Sequence, residues 1–361
     1  MSLEERVGET KPVKIEGPYR DNSGLYVGYG SIVMGNVRLG NNVIIGNGTY
    51  IISENSRVVI GDGVEIGDNN VIKVRDYAPE NKDRDIFIGD GTITKVGVVL
   101  ENGVILGERN YIGDYCVFGR NIMIGDENRF NQLSNISKNV KIGNKNTFYA
   151  CTIGSAPQGQ VHEDEGTSVE IGNENLFREG LVINRGSRLM GIDGKTKIGN
   201  RNKIFSQTHI GHDCIIGDDN EIVSGTFLGG HVIIENRVRI SGMCGAQQFV
   251  HVGDCAFVGG MVGLEKNVLP YSRIEGRPTG LHGINFKRLE KLYPDENKFR
   301  EVYGELKRVF RIVTDKNIDD KTLAVKIREL ASEHAIIIAD FIDKLKRNKR
   351  VYRFRHESRE E

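Results

Sequence analysis

Long apolar runs are missing from this chain of 361 residues, and so is any net charge. No stretch approaches the roughly 20 apolar residues that a membrane-spanning helix needs, so no membrane span is expected. Lys+Arg and Asp+Glu each number 49. No overall positive field therefore draws nucleic acid to the chain, and nucleic acid is not an expected partner. The opening MSLEERVGETKPVK has no apolar signal core, which makes the cytoplasm the expected location. Proline is scarce, at seven, which excludes a collagen or a Pro/Gly linker. Five cysteines (Cys116, Cys151, Cys214, Cys244 and Cys255) form no CxxC pair. Their odd number argues against a disulfide framework and for reduced, buried thiols. No P-loop, no Walker lysine and no Ser-His-Asp order is present.

Glycine is what abounds, at 45 residues, against an average near 7%. It recurs after an aliphatic or aromatic residue at six-residue spacing: Leu106-Gly107, Ile112-Gly113, Phe118-Gly119, Ile124-Gly125, and later Ile210-Gly211 and Ile216-Gly217. A period of eighteen joins Gly89, Gly107, Gly125 and Gly143, and again Gly199 and Gly217. Asn or Asp commonly follows. Each six-residue unit reads as a short strand with its apolar residue inward, closed by a turn in which Gly, Asn and Asp tolerate positive φ. Three units make one triangular coil, and coils stack by parallel hydrogen bonding: a mainly β, parallel β-helix of hexapeptide repeats.

Polar interruptions at Asp76 to Asp85, Ser155 to Gly166 and Gly186 to Gly194 mark loops that leave the coil. Beyond Pro278 the period changes. Phe299, Val302, Tyr303, Leu306, Val309, Phe310 and Val313 recur at three and four, and Asp295 is the expected N-cap. A second helical stretch carries Leu323, Ile327, Leu330, Ile337, Ile338, Phe341 and Leu345. The basic run from Lys344 to His356 reads as a solvated helix face or as a docking patch for an acidic partner.

Strands of a solenoid expose few reactive groups, so SQTHIGHDCIIG stands out. His209 and His212 flank a turn glycine, His231 follows His212 by close to one coil, and His251 lies a further coil on. Imidazole accepts a proton from a hydroxyl or amine near neutral pH. Asp213 can orient the His212 ring, and a backbone N–H at Gly229-Gly230 can meet a developing oxyanion. The histidine spacing matches no strong metal-ligand motif, so neither metal nor cofactor is expected.

From about Gly103 onward the chain resembles the UDP-N-acetylglucosamine O-acyltransferase family, through IGSAPQGQ, INRGS, HIGHDCIIG, LGGHVIIEN, ISGMCGAQQFVHVG and the helical tail. The resemblance implies a left-handed β-helix followed by a small C-terminal α-helical domain. The hexapeptide pattern itself gives an arm (1–18) and additional coils (19–102) ahead of the family's usual start, and the resemblance implies catalytic-type coils (103–276) and the helical domain (277–361). It also implies transfer of a fatty acyl chain from acyl carrier protein to the 3-hydroxyl or 3-amine of a UDP-N-acetylglucosamine-type sugar, the opening step of lipid A synthesis, by a homotrimer. Carried over, His212 is the general base, Asp213 supports it and Gly230 supplies the oxyanion N–H. His209, His231, Gln158 and Gln248 bind the nucleotide sugar, and Arg277 stands where the family has a nucleotide-contacting Asn. The pattern also departs at Gly159, Val161 and Gln247. Rival readings on the same scaffold are an acetyl-CoA-dependent nucleotide-sugar acetyltransferase, a noncatalytic binding solenoid and a zinc-dependent hydratase.

Overall fold

The computed structural model describes residues 13–74, 85–158, 166–187, 193–345 and 350–353. The chain separates into two compact units, Met1–Thr196 and Lys197–Glu361.

In the first unit two-residue strands stack in parallel from Tyr26–Val27 through Ile44–Ile45, Glu65–Ile66, Ile93–Thr94, Tyr111–Ile112, Arg129–Phe130 and Thr147–Phe148 to Leu176–Phe177. The second residue of each is buried, and all but Thr94 are apolar, as the alternation of a half-buried strand requires. Phe130 stacks on Phe148 at 4.6 Å and Phe148 on Phe177 at 4.9 Å, so an aromatic column fills the interior. Across the first polar interruption Val58 pairs with Ile86, and across the second Val140 pairs with Val169. The pairing is thus kept on the far side of both interruptions, with a register shift between Ile153 and Ser155 where the second begins, and 75–84 and 159–165 lie outside the described residues.

The Gly-Asp/Asn signature has a different cause from the one expected. Gly125 and Gly217 do not carry the positive φ. That falls two residues on, at Glu127 and Asp219, and on many residue types elsewhere. The glycine is needed because the Asp or Asn of the next coil comes too close for a side chain. A Cβ on Gly125 would collide with Asn144 Oδ1, and one on Gly217 with Asn236 Oδ1. Those oxygens accept from the backbone one coil back: Asp126 N–H donates to Asn144 Oδ1 at 2.7 Å, and Asp218 N–H to Asn236 Oδ1 at 2.9 Å. A second, buried ladder runs from Asn110 through Asn128 and Asn146 to Asn175, each backbone N–H donating to the Asn Oδ1 before it at 2.9 Å. Turn amides that a stacked coil would bury are satisfied this way.

The N-terminal edge is covered. Val13–Glu16 lies antiparallel on Ile32–Leu39, and Tyr19–Arg20 antiparallel on Tyr26–Val27. Residues 13–16 of the expected arm thus form a strand, which blunts an exposed sheet edge. The ladder also continues past 102/103, where Asn121 N–H donates to Asn102 O at 3.1 Å.

In the second unit three parallel columns repeat at eighteen residues: His209, Phe227, Gly245, Gly263; Ile215, Ile233, His251; and Glu221, Arg239, Phe257, the last pairing with Arg273 after a shortened coil. An antiparallel hairpin, Ser272–Glu275 with Gly280–Ile284, closes the coil. Four helices follow: α1 (Phe286–Leu292), α2 (Glu296–Val313), α3 (Leu323–Arg328) and α4 (Glu333–Lys344). Asp295 caps α2, its Oδ1 accepting from Lys298 N–H at 2.8 Å, and α2 buries Val302, Leu306, Val309, Phe310 and Val313. Helix α1 was not expected. The single stretch expected from Leu323 to Leu345 is broken at Ala331 (φ 50°) and at Ser332, which is extended and precedes α4 without a side-chain cap hydrogen bond.

Of the basic run only Lys344, Leu345 and residues 350–353 are described, and there it does not continue as the expected helix face. Helix α4 ends at Lys344, and the described part beyond it pairs with the coil, Asn267 with Val351. Arg353 is buried, donating to the carbonyls of Val313, Asp315 and Ile318 at 2.7 to 2.8 Å. All five cysteines are free and buried.

Candidate active site

The corner between strands His209–Ile210 and Ile215–Ile216 gathers the reactive groups of the second unit. Asp213 sits there at φ 59°, with His231 (62°) and Phe249 (68°) at the same corner of the next two coils. Asp tolerates this left-handed region and His is enriched in it. Such residues occur throughout the solenoid, so the conformation belongs to the coil and does not by itself mark a site.

Asp213 Oδ2 lies 2.8 Å from His212 Nδ1 and 3.9 Å from His231 Nε2, and its side chain is 1% exposed. Against an ionised carboxylate, which only accepts, this bond requires the tautomer with the proton on Nδ1 and the lone pair on Nε2. The His212 and His231 rings meet edge to face at 4.9 Å. Phe249 stacks flat on His231, at 4.6 Å and 4°. Gly230 backs onto the reactive nitrogen, where a Cβ would stand 2.6 Å from His212 Nε2. Among the described residues nothing accepts a hydrogen bond from the Gly230 N–H.

Other expected residues are placed as follows. His209 lies on the strand entering the corner, its ring 6.5 Å from that of Phe227. Its pKa is held below the ordinary value, by burial first and by the neighbouring His212 second. Gln248 is exposed one coil beyond Gly230, its Cγ against Gly229. Arg277 is exposed at the tip of the closing hairpin, where Thr279 Oγ1 donates to Gly263 O at 3.1 Å. Gly263 is three rungs from His209, about 14 Å, so the hairpin tip is not at the His209 rung. His251 is not at this corner either. It stands in the column of Ile215 and Ile233, hydrogen-bonded to Glu235 Oε1 at 3.0 Å and 4.5 Å from the Phe341 ring. Gln247, exposed, donates its N–H to Leu264 O.

In the first unit Gln158 is exposed at the end of the described stem Ser155 to Gln158, while Gly159 and Val161 lie outside the described residues. Phe227 and Phe249 were missed in the sequence. A strict count of eighteen, from His209 and from His231, would have found both.

His212, Asp213 and His231 offer ligand atoms within 4.8 Å of one another. Two ligands of one tetrahedral zinc stand about 3.3 Å apart at zinc–nitrogen distances near 2.0 Å. The 2.8 Å contact is that of a hydrogen-bonded pair.

Residues 195–230 match the bacterial transferase hexapeptide family (six repeats). The acyl-[acyl-carrier-protein]--UDP-N-acetylglucosamine O-acyltransferase of Anaeromyxobacter dehalogenans is 35% identical over 182 residues, 50% of this chain and 67% of that protein. The crystal structure of the UDP-N-acetylglucosamine O-acyltransferase of Moraxella catarrhalis matches at 31% identity and a TM-score of 0.62, over 68% of this chain and 93% of that one. This chain belongs to the UDP-N-acetylglucosamine O-acyltransferase family. The correspondingly named protein of Gloeothece citriformis is 35% identical over 185 residues, which span 51% of this chain and 63% of that relative. The coil is accordingly the left-handed parallel β-helix of the hexapeptide acyltransferases, with α-helices at its C-terminal end. Among the described residues no helix is long and apolar enough to cross a membrane.

Proposed function

We propose that the protein transfers a fatty acyl chain from acyl carrier protein to the 3-position of a UDP-N-acetylglucosamine-type sugar, in lipid A synthesis. The reading rests on one arrangement: a histidine whose Nδ1 is held by a buried carboxylate, with the Gly230 backbone against its Nε2. His212 Nε2 takes the proton of the sugar 3-hydroxyl or 3-amine as that atom bonds to the thioester carbonyl carbon. The carbonyl oxygen becomes an oxyanion and receives the Gly230 N–H. Collapse breaks the carbon–sulfur bond, and the thiolate leaves with the proton that His212 held. Asp213 fixes the tautomer and stabilises the imidazolium that forms between the two steps.

His209 and His231 flank this base, and Phe249 fixes the His231 plane. By family resemblance Gln158, Gln248 and Arg277 hold the nucleotide sugar. The basic helical end faces the acidic carrier protein, and the enzyme works as a cytoplasmic homotrimer. Neither metal nor cofactor takes part. Purified protein incubated with UDP-N-acetylglucosamine and acyl-loaded carrier protein should yield the 3-acyl sugar, with acetyl-CoA a poor donor. Product from acetyl-CoA alone would refute the donor assignment, and no product from a panel of UDP-sugars with either donor would refute the reaction.

A further inference from the structure

The INRGS segment places a cation in the interior of the first unit. Arg185 is 5% exposed. Its Nη1 donates to Gly154 O at 3.0 Å and its Nε to Thr167 Oγ1 at 3.1 Å. Gly154 is where the chain leaves the coil for the excursion that begins at Ser155, and Thr167 is where it is back in place. The Arg185 backbone N–H donates to Ser155 O at 2.9 Å. Beside it, Asn184 Nδ2 donates to Ser155 Oγ and to Ala156 O, both at 2.9 Å. Burial lowers the Arg185 pKa, the mark of a charge partly withdrawn from water.

A guanidinium suits this position because its planar fork reaches two acceptors in fixed directions. A lysine is a point charge on a flexible stem and holds no two acceptors in fixed directions. Withdrawing a charge from water costs several kcal/mol unless its donors are bonded. A surface loop that only needed joining would not require it.

We propose that Arg185 is a positioning residue, which ties the exit of the excursion to its return and thereby fixes the stem Ser155 to Gln158 that presents Gln158 to the nucleotide sugar. The functional half of this inference rests on the reading of Gln158 given above, whereas the clamp itself does not.

Two measurements on the full-length chain separate them. Amide hydrogen exchange over 155–158 should quicken in Arg185→Lys, and less in Thr167→Val, which removes one acceptor, while the strands from Tyr111 to Phe148 exchange as before. Unchanged exchange at 155–158 in Arg185→Lys would overturn the clamp. In steady-state kinetics Arg185→Lys should raise KM for the UDP-sugar about tenfold, with kcat and the acid limb of the pH profile kept, as Gln158→Ala should. A KM effect in Gln158→Ala with none in Arg185→Lys would overturn the positioning role and leave the Gln158 assignment standing. Quickened exchange with KM unmoved in both variants would overturn the Gln158 assignment and retain the clamp.

Discussion

The carboxylate of Asp213 lies 2.8 Å from the Nδ1 of its chain neighbour His212, although adjacent residues of a regular strand point to opposite faces. The left-handed conformation of Asp213 (φ 59°) turns the corner between them and folds one side chain back onto the other. The proposed base and its orienting group therefore come from a single turn, and the coils on either side need only hold that turn in place.

His212→Ala should lower kcat/KM by about 10² to 10⁴ while leaving the circular dichroism spectrum intact. Wild-type activity should fall on the acid side as the base takes up a proton. A flat acid limb, or an alanine variant with full activity, would remove His212 from that role.

Asp213→Asn tests the orienting group with the least disturbance, because Asn accepts left-handed φ as readily as Asp. It can also donate, so the His212 ring is no longer confined to the tautomer with Nε2 bare. We expect kcat to drop on the order of 10²-fold or more with KM nearly unchanged.

Gly230→Ala places a methyl group 2.6 Å from His212 Nε2 and must displace the ring. The φ of Gly230 is not in the left-handed region, so alanine is compatible with the backbone. A loss of about 10²-fold or more in kcat with unchanged thermal unfolding is the expected result.

His209 is harder to protonate folded than unfolded, through burial and the neighbouring His212. Its contribution to stability is therefore complete above the unfolded value of about 6.5, falls as pH drops through that value, and levels off below the folded value. Proton NMR should find the His209 ring titrating at lower pH in the native protein than in urea. Titration at the same or a higher pH would contradict its burial.

Burial pushes the Cys116 thiol up to about 11 and those of Cys151 and Cys214 to about 12. Thiolate is the reactive form, so native protein at neutral pH should take up almost no thiol reagent and denatured protein five equivalents. Arg353→Ala provides a separate check on the helices, since it strips donors from the Val313, Asp315 and Ile318 carbonyls. Urea unfolding followed by helical circular dichroism should report a destabilisation of about 3 kcal/mol.

The coil was legible in the sequence because its period is a packing requirement: one inward apolar residue per short strand and one close-approach glycine per turn. The histidine corner was legible only in part. His231 was counted from His212, one residue out of step, and its register partner is Asp213. The same looseness placed His251 near the corner, when its column is that of Ile215 and it belongs with Glu235 and Phe341. Helix α1 was missed because its seven residues are too few to display a period, and Ala331 broke a helix whose apolar spacing ran on unbroken.

The sequence by itself determined the repeat, the inward and outward faces, the amphipathic helix α2 with its cap, and the family. Only the tertiary structure decided that His212 and His231 share one carboxylate, that Gly230 backs onto the base, and that Arg185 and Arg353 are buried clamps instead of surface charges. The reason is that periodicity fixes which column a residue joins, whereas the direction of a side chain at a corner depends on the φ of that residue and on what the next coil places 5 Å away.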